Sequence, residues 1–163
     1  DFQCPFCAMA SGLPSWIDTY KSQYGDLIGS AQKIQQMARQ GKLKFIYVTM
    51  SFLGQESVYA AEAGYCADEQ GKFWEMHDII FTAHDGEENN GKFSKDNLKI
   101  LAKKINGFEI EKFNDCLDSG KYLPNVEKAA SEAGKVASGT PTFYVNGKRI
   151  DASWTELSKA LNV

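Results

Sequence analysis

Asp1-Phe2-Gln3-Cys4-Pro5-Phe6-Cys7 is the stretch that decides how the rest of this chain is read. It sets two thiols three positions apart with only a proline and a phenylalanine between them. Three kinds of chemistry use that spacing: half of a metal site, a redox dithiol, or two ordinary core cysteines. Tetrahedral zinc wants four ligands, supplied as two such pairs or as one pair with two histidines. The chain has no second Cys-x-x-Cys, and His77 and His84 stand too far apart for a zinc finger, so no metal is expected. A redox pair fits its neighbours better. Pro5 suits the first turn of a helix, where a missing N–H costs nothing. Cys4 would then be the N-cap, facing unpaired N–H groups and the positive end of the helix dipole, and both favour the nucleophilic thiolate. Cys7, one turn further in, would be shielded and would act on a mixed disulfide made at Cys4. Phe6 brings no charge, so no side chain inside the motif predicts an extreme pKa.

Working outward, 163 residues with 43% hydrophobic and 24% charged residues describe one domain with a real core. A net charge of -3, with lysines scattered among acids, argues against a nucleic-acid partner. No apolar run approaches the length that spans a bilayer, and no leader peptide is visible, which leaves the compartment open. The cysteines Cys4, Cys7, Cys66 and Cys116 allow two disulfides, far short of a disulfide-dense scaffold.

Residues 43–50, LKFIYVTM, are rich in β-branched and aromatic side chains and predict a buried strand. Before it, SWIDTYKSQY and SAQKIQQMARQGK predict two helices, the second stopping at Gly41. After it the chain is helical for a long stretch: 56–71, 72–84, 94–105, 109–120 and 122–137, separated by glycines and the polar loop 85–93. Phe73, Met76, His77, Ile80 and Phe81 fall on one helical stripe, so His77 is expected as a satisfied core histidine. His84, at the helix end, is expected to meet solvent and the last carbonyls. Ser94 caps the third of these helices. PTFYVNGKRI then predicts a hairpin around Asn146-Gly147, and Ser153 with Glu156 predicts a capping box for a last helix.

A second constellation, Gly139-Thr140-Pro141-Thr142, opens the hairpin. Alone, Pro141 could be an edge-strand proline. Taken with DFQCPFC, AAEAGYCADEQGKFWEMHDIIF, FNDCLDSGKY and SGTPTFYVNGKRI, it makes the chain resemble the DsbA-like thiol–disulfide oxidoreductases. The resemblance covers most of residues 1–7 and 42–151, in order. It implies an α/β, thioredoxin-like fold with an inserted helical subdomain: thioredoxin part about 1–52 and 138–163, insertion about 55–137, all in one domain.

The same resemblance implies roles. Cys4 is the exposed nucleophile, Cys7 the buried resolving thiol, and Pro141 a cis-proline preceded by Thr140. Pro5, Phe6, Thr140 and Pro141 contact substrate, with the loop backbone pairing to an extended segment. Cys66 and Cys116 are joined in some relatives, and two buried free thiols are the alternative. Activity is thiol–disulfide exchange with protein or peptide thiols and disulfides, in the oxidising direction, needing no cofactor beyond the Cys4–Cys7 disulfide. A membrane quinone-linked partner would re-oxidise a monomer in the bacterial periplasm or cell envelope. A reductase or isomerase is the runner-up, and a non-catalytic peptide-binding module is the reading from another class.

Two departures stand out. The family runs a central strand straight into D-F-x-C, between 43–50 and the hairpin, and no such residues are present. Without it the 43–50 strand lacks a ladder neighbour. The chain is therefore expected to be an excerpt or processed form of a longer one, whose upstream part could carry an anchor. Residues 8–40 are also longer than the single helix expected after Cys-x-x-Cys. There Trp16, Ile17, Tyr20 and Tyr24 form a packed face or an exposed docking surface, with packing favoured.

Overall fold

Cys4 is extended (φ −70°, ψ 120°), and Pro5 opens helix α1 (Pro5–Ser11) at a position that needs no N–H. The structure is a computed structural model describing residues 1–163. Gly12 ends α1 with φ 70°, a conformation that favours glycine. Its N–H and that of Gly29 both donate to the Met9 carbonyl, at 3.0 and 2.9 Å. A Cβ on Gly12 would lie 2.9 Å from Gly29 Cα, so the two glycines close residues 13–28 into an excursion from the body. SWIDTYKSQY, predicted as one helix, divides into a 3-10 segment (Ser15–Tyr20) and a single turn, α2 (Lys21–Tyr24). Too short to stand as a helix by itself, it takes its shape from what it packs on. Helix α3 (Ser30–Arg39) follows, with Ile34 and Gln35 buried.

Residues 43–50 are a correction. They form no strand, and residues 43–51 make no backbone–backbone hydrogen bond. Leu43, Phe45, Tyr47 and Thr49 still turn toward the body while Lys44, Ile46 and Val48 are exposed, the alternation of a strand without its ladder. The reason is distance. A cavity of about 830 Å³, lined by Leu43–Val48 on one side and Thr142–Asn146 on the other, separates this segment from the hairpin.

The helical block is built on α4 (Gln55–Asp68), whose Ala60, Ala61, Ala63, Gly64 and Ala67 are all buried. Small side chains let α5 (Phe73–Ala83), α6 (Lys95–Ala102), α7 (Ile110–Ser119) and α8 (Leu123–Gly134) approach it closely. Phe81, Phe93, Leu98, Phe113 and Leu117 fill the space between. Ser94 caps α6 by accepting from the Asn97 N–H. The Sγ atoms of Cys66 on α4 and Cys116 on α7 are bonded at 2.04 Å.

β1 (Phe143–Val145) and β2 (Lys148–Ile150) pair antiparallel with Tyr144 opposite Arg149. The two-residue connection has φ 50° at Asn146 and 81° at Gly147, as such a turn requires. Helix α9 (Trp154–Leu161) packs on both strands. Its predicted capping box is half made. Ser153 Oγ accepts from the Glu156 N–H at 3.2 Å, but the Glu156 carboxylate turns to Lys159 instead of back to the cap.

Candidate active site

The dithiol is aimed by what precedes it. Phe2 is buried among Tyr47, His77 and Phe81, at ring-centroid distances of 5.6, 5.8 and 5.2 Å. Burial of such a ring stabilises by roughly 2 to 3 kcal/mol. The Asp1 carboxylate accepts from the Gln3 and Phe52 N–H groups at 2.8 and 2.9 Å, and from the Ser57 hydroxyl at 2.7 Å. Gln3 Nε2 donates to the Leu53 carbonyl and to Ser57, while its Oε1 accepts from the Asn89 N–H at 2.7 Å. Three successive residues are thus pinned before Cys4 begins the helix.

His84 completes that hold, and it is a second correction. Expected at the solvent, it is buried. Its Nδ1 accepts from the Gly86 N–H at 2.9 Å, which puts its proton on Nε2, and Nε2 donates to the Gln3 carbonyl at 2.8 Å. Burial holds its pKa below the usual histidine value. His77 behaves as expected of a core histidine: it lies inside the aromatic cluster, bonds Asp78 through Nδ1 at 2.8 Å, and is lowered by burial.

Both sulfur-bearing residues are enclosed, Cys4 at 5% exposure and Cys7 at 9%. The expected contrast of an exposed nucleophile with a buried partner is therefore absent at the level of whole residues, because the Gly139–Thr142 loop lies over the helix start. The Thr140–Pro141 peptide bond is cis. The Cys4 thiol donates to the Thr140 carbonyl at 3.4 Å. The Thr140 N–H has no partner in the chain, and Pro141 has none to offer. Pro5, Thr140 and Pro141 are half-buried and Phe6 is 44% exposed, so all border the dithiol from the open side.

The contrast lies in ionisation instead. Cys4 is lowered from 9.0 to about 6. The Cys7 thiol, hydrogen-bonding to the Cys4 sulfur, is the largest cause. Burial opposes it, and the Thr140 side chain and the Cys7 backbone N–H reinforce it. Cys7 is raised well above 9.0, first by burial and then by its bond to Cys4. Tyr47, half-buried beside both sulfurs, is raised first by desolvation and then by negative charge at the cysteines, so it stays a neutral phenol. No three His, Cys, Asp or Glu side chains converge as metal ligands would. A low-pKa thiol backed by a high-pKa thiol can open a disulfide and then pass the bond on.

Gln3, Tyr47, Ser57 and Asn89 escaped the sequence reading as parts of the site, and His84 is expected there only as a helix end. DFQ preceding the dithiol hinted at a buried entry, but nothing local marks the partners, which come from four other segments.

The family model described as thioredoxin matches residues 29–163. This chain belongs to the thioredoxin family. Its structure is similar to that of oxidised BdbD from Bacillus subtilis, with a TM-score of 0.75 and 24% identity, covering 99% of this chain and 82% of that one. The thioredoxin-like fold with its helical content, expected from the DsbA-like resemblance, is thereby shown. In sequence the thioredoxin-family chain is 26% identical to a probable disulfide bond formation protein D of Bacillus anthracis, over 99% of this chain and 69% of that protein. It is 30% identical to a Na(+)/H(+) antiporter NhaA of Herminiimonas arsenicoxydans over 94% of this chain. It spans 21% of that antiporter's length. No helix is long and apolar enough to cross a membrane.

Proposed function

We propose that this chain catalyses thiol–disulfide exchange with protein substrates through Cys4 and Cys7, oxidising substrate thiols to disulfides. The observation that carries the reading is the opposed ionisation of the two sulfurs, Cys4 at about 6 and Cys7 well above 9.0, under the Thr140–Pro141 loop. Starting from the Cys4–Cys7 disulfide, a substrate thiolate attacks Cys4 Sγ and the Cys7 sulfur leaves, taking a proton. A second substrate thiolate attacks the substrate sulfur of the mixed disulfide, and Cys4 departs as the stabilised thiolate. Two substrate thiols lose two electrons and two protons; the dithiol takes both electrons and one proton, on Cys7, and the other proton goes to solvent, so no bound cofactor enters the exchange. A lowered Cys4 pKa stabilises the reduced enzyme and so favours oxidation of the substrate.

In this reading Pro5, Phe6, Thr140 and Pro141 contact the substrate, and the free Thr140 N–H pairs with its extended backbone. Cys66–Cys116 is structural. The thioredoxin part is about 1–52 and 138–163, with 55–137 as the helical insertion. The likeness to a disulfide bond formation protein D supports protein thiols as substrates. A monomer outside the cytoplasm, in periplasm or cell envelope, with a membrane redox partner that accepts its electrons, completes the proposal.

Equilibration against glutathione buffers, together with oxidation of a reduced unfolded protein, tests it. The Cys4–Cys7 couple is expected to be more oxidising than the about −270 mV of thioredoxin, with substrate oxidation lost in Cys4→Ser. A thioredoxin-like potential with insulin reduction would reverse the direction. Unchanged behaviour in Cys4→Ser would leave only a binding module.

A further inference from the structure

The exchange leaves one proton without a carrier. Cys7 takes it up each time its sulfur leaves Cys4 and gives it up each time it attacks. Its thiol is enclosed, and burial raises it well above 9.0, so neither transfer is easy unaided. The cavity of about 830 Å³ between the 43–50 segment and the hairpin reaches this thiol. Cys7 lines it together with Ser11, Tyr47, His77 and Thr140, and His77 is the only histidine on its wall.

Packing accounts for the place of the His77 ring, whose centroid lies 5.8, 5.0 and 4.9 Å from those of Phe2, Tyr47 and Phe81. Its chemistry is set by Asp78, the next residue on α5, which accepts from Nδ1 at 2.8 Å. A carboxylate only accepts, so Nδ1 carries the ring proton and the lone pair is on Nε2, which has no partner in the chain. Asp78 is itself held from α3, by Gln35 Nε2 at 3.4 Å and Arg39 Nη2 at 3.2 Å. Burial keeps the ring below the usual histidine range. Arg39 and the Asp1 amine add to that effect and Asp78 opposes it, while the other titratable groups facing the ring are the neutral Tyr47 phenol and, across the cavity, Cys7. A neutral imidazole with a free Nε2 is a base.

We propose that His77, oriented by Asp78, carries the Cys7 proton across the cavity. The assignment deepens the exchange reading and rests on it. In the step that closes the active-site disulfide, the Cys7 S–H proton passes through water in the cavity to His77 Nε2 while the Cys7 sulfur attacks Cys4 Sγ. The Cys4–Cys7 bond forms, the bond from Cys4 to the other sulfur breaks, and that sulfur leaves as a thiolate. The imidazolium then releases its proton to solvent. When a substrate thiolate opens the disulfide, a proton returns to Cys7 by the same route.

Reduced protein mixed with excess glutathione disulfide and quenched in acid tests the assignment. Masses count the Cys4–glutathione adduct as it forms and as Cys7 resolves it. His77→Phe keeps an aromatic ring among Phe2, Tyr47 and Phe81 but has no base. The adduct is expected to form at the native rate and to resolve about a hundredfold more slowly, the lower end of what general base catalysis contributes. With rising pH, native resolution should level off once His77 is neutral. In His77→Phe it should keep rising about tenfold per pH unit with the Cys7 thiolate fraction.

Equal resolution rates and pH profiles overturn the proposal and leave the exchange chemistry standing. A native protein that forms neither the adduct nor the Cys4–Cys7 disulfide overturns both. Should His77→Phe fail to fold, Asp78→Asn gives an independent reading: without the charge that supports the imidazolium, the levelling-off is expected at lower pH, and an unmoved profile overturns the proposal. The Asp1 amine, which donates to Cys7 Sγ at 3.6 Å, is the rival carrier. If Nα-acetylation of Asp1 abolishes the levelling-off and His77→Phe does not, the amine carries the proton and the proposal is overturned.

Discussion

Cys4 and Cys7 are alike in whole-residue exposure, yet burial governs the Cys7 sulfur and a hydrogen-bond donor governs that of Cys4. The Cys4 anion is stabilised chiefly by a hydrogen bond from its own partner thiol, so the pair sets its own reactivity. In the reduced protein the rate of Cys4 alkylation by iodoacetamide should rise with pH to half its maximum at about 6. In Cys7→Ala, with the strongest donor gone, the midpoint should move up toward the ordinary thiol value of about 8.5. A midpoint unchanged by Cys7→Ala would contradict that cause. His84 predicts a second pH effect, in the opposite half of the molecule's chemistry. Its Nδ1 accepts from Gly86 and its surroundings lower its pKa, as burial also lowers that of His77. Below the unfolded value of about 6.5 the unfolded chain takes up protons that the folded one refuses, so stability is lost as pH falls through that point. Urea midpoints of the oxidised protein, which has no Cys4 thiol to titrate, should drop from pH 7 to pH 5. His84→Ala should be less stable by about 1 to 3 kcal/mol at pH 7, leaving the Gln3 carbonyl unpaired, and its acid slope should be shallower.

Among the elements, α1 and the hairpin follow from local chemistry, while the 13–28 excursion and 43–50 do not. Pro5 starts α1 and Gly12 ends it because their backbone preferences allow little else. The excursion is shaped by one close approach, Gly12 against Gly29, which no periodicity announces. Gly12→Ala should cost at least about 1 to 2 kcal/mol for the left-handed backbone alone, before the 2.9 Å contact is relieved. Thermal unfolding would read the loss, and Gly91→Ala, where a Cβ meets nothing, serves as the control for backbone strain without contact. The strand expected over 43–50 illustrates the other limit. Its alternation is visible in the sequence and survives in the structure, yet a strand is a relation between two segments, and the hairpin edge stands across a cavity.

At the scale of the molecule, the helical block and the dithiol region share one core, from Phe2 and Cys7 through Phe81 to Phe113 and Leu117. Cys66–Cys116 ties α4 to α7 across a sequence separation of 50 residues. In the chain-entropy account a loop of that size is worth about 4 kcal/mol, mostly through the unfolded state. Cys66→Ala/Cys116→Ala should therefore lower the unfolding free energy by an amount of that order, measured with urea under oxidising conditions. The Cys4 alkylation midpoint should stay where it was, because neither sulfur touches the dithiol. A shift in that midpoint would mean that the block reaches into the site.

The amino-acid sequence by itself determined the places where a few bonds decide the outcome: the helix start at Pro5, the turn at Asn146-Gly147, the cap at Ser94, and the spacing that sets Cys4 and Cys7 one helical turn apart. Motif and spacing carry such features because their causes lie within a few residues. Only the tertiary structure decided which groups meet from afar. It buried His84 against Gln3, laid Thr140 over Cys4, put Tyr47 beside both sulfurs, and packed Trp16 onto the body through the His84 carbonyl. Each of these depends on segments tens of residues apart being brought together, and chain folding, unlike spacing, leaves no local mark of which pairs those will be.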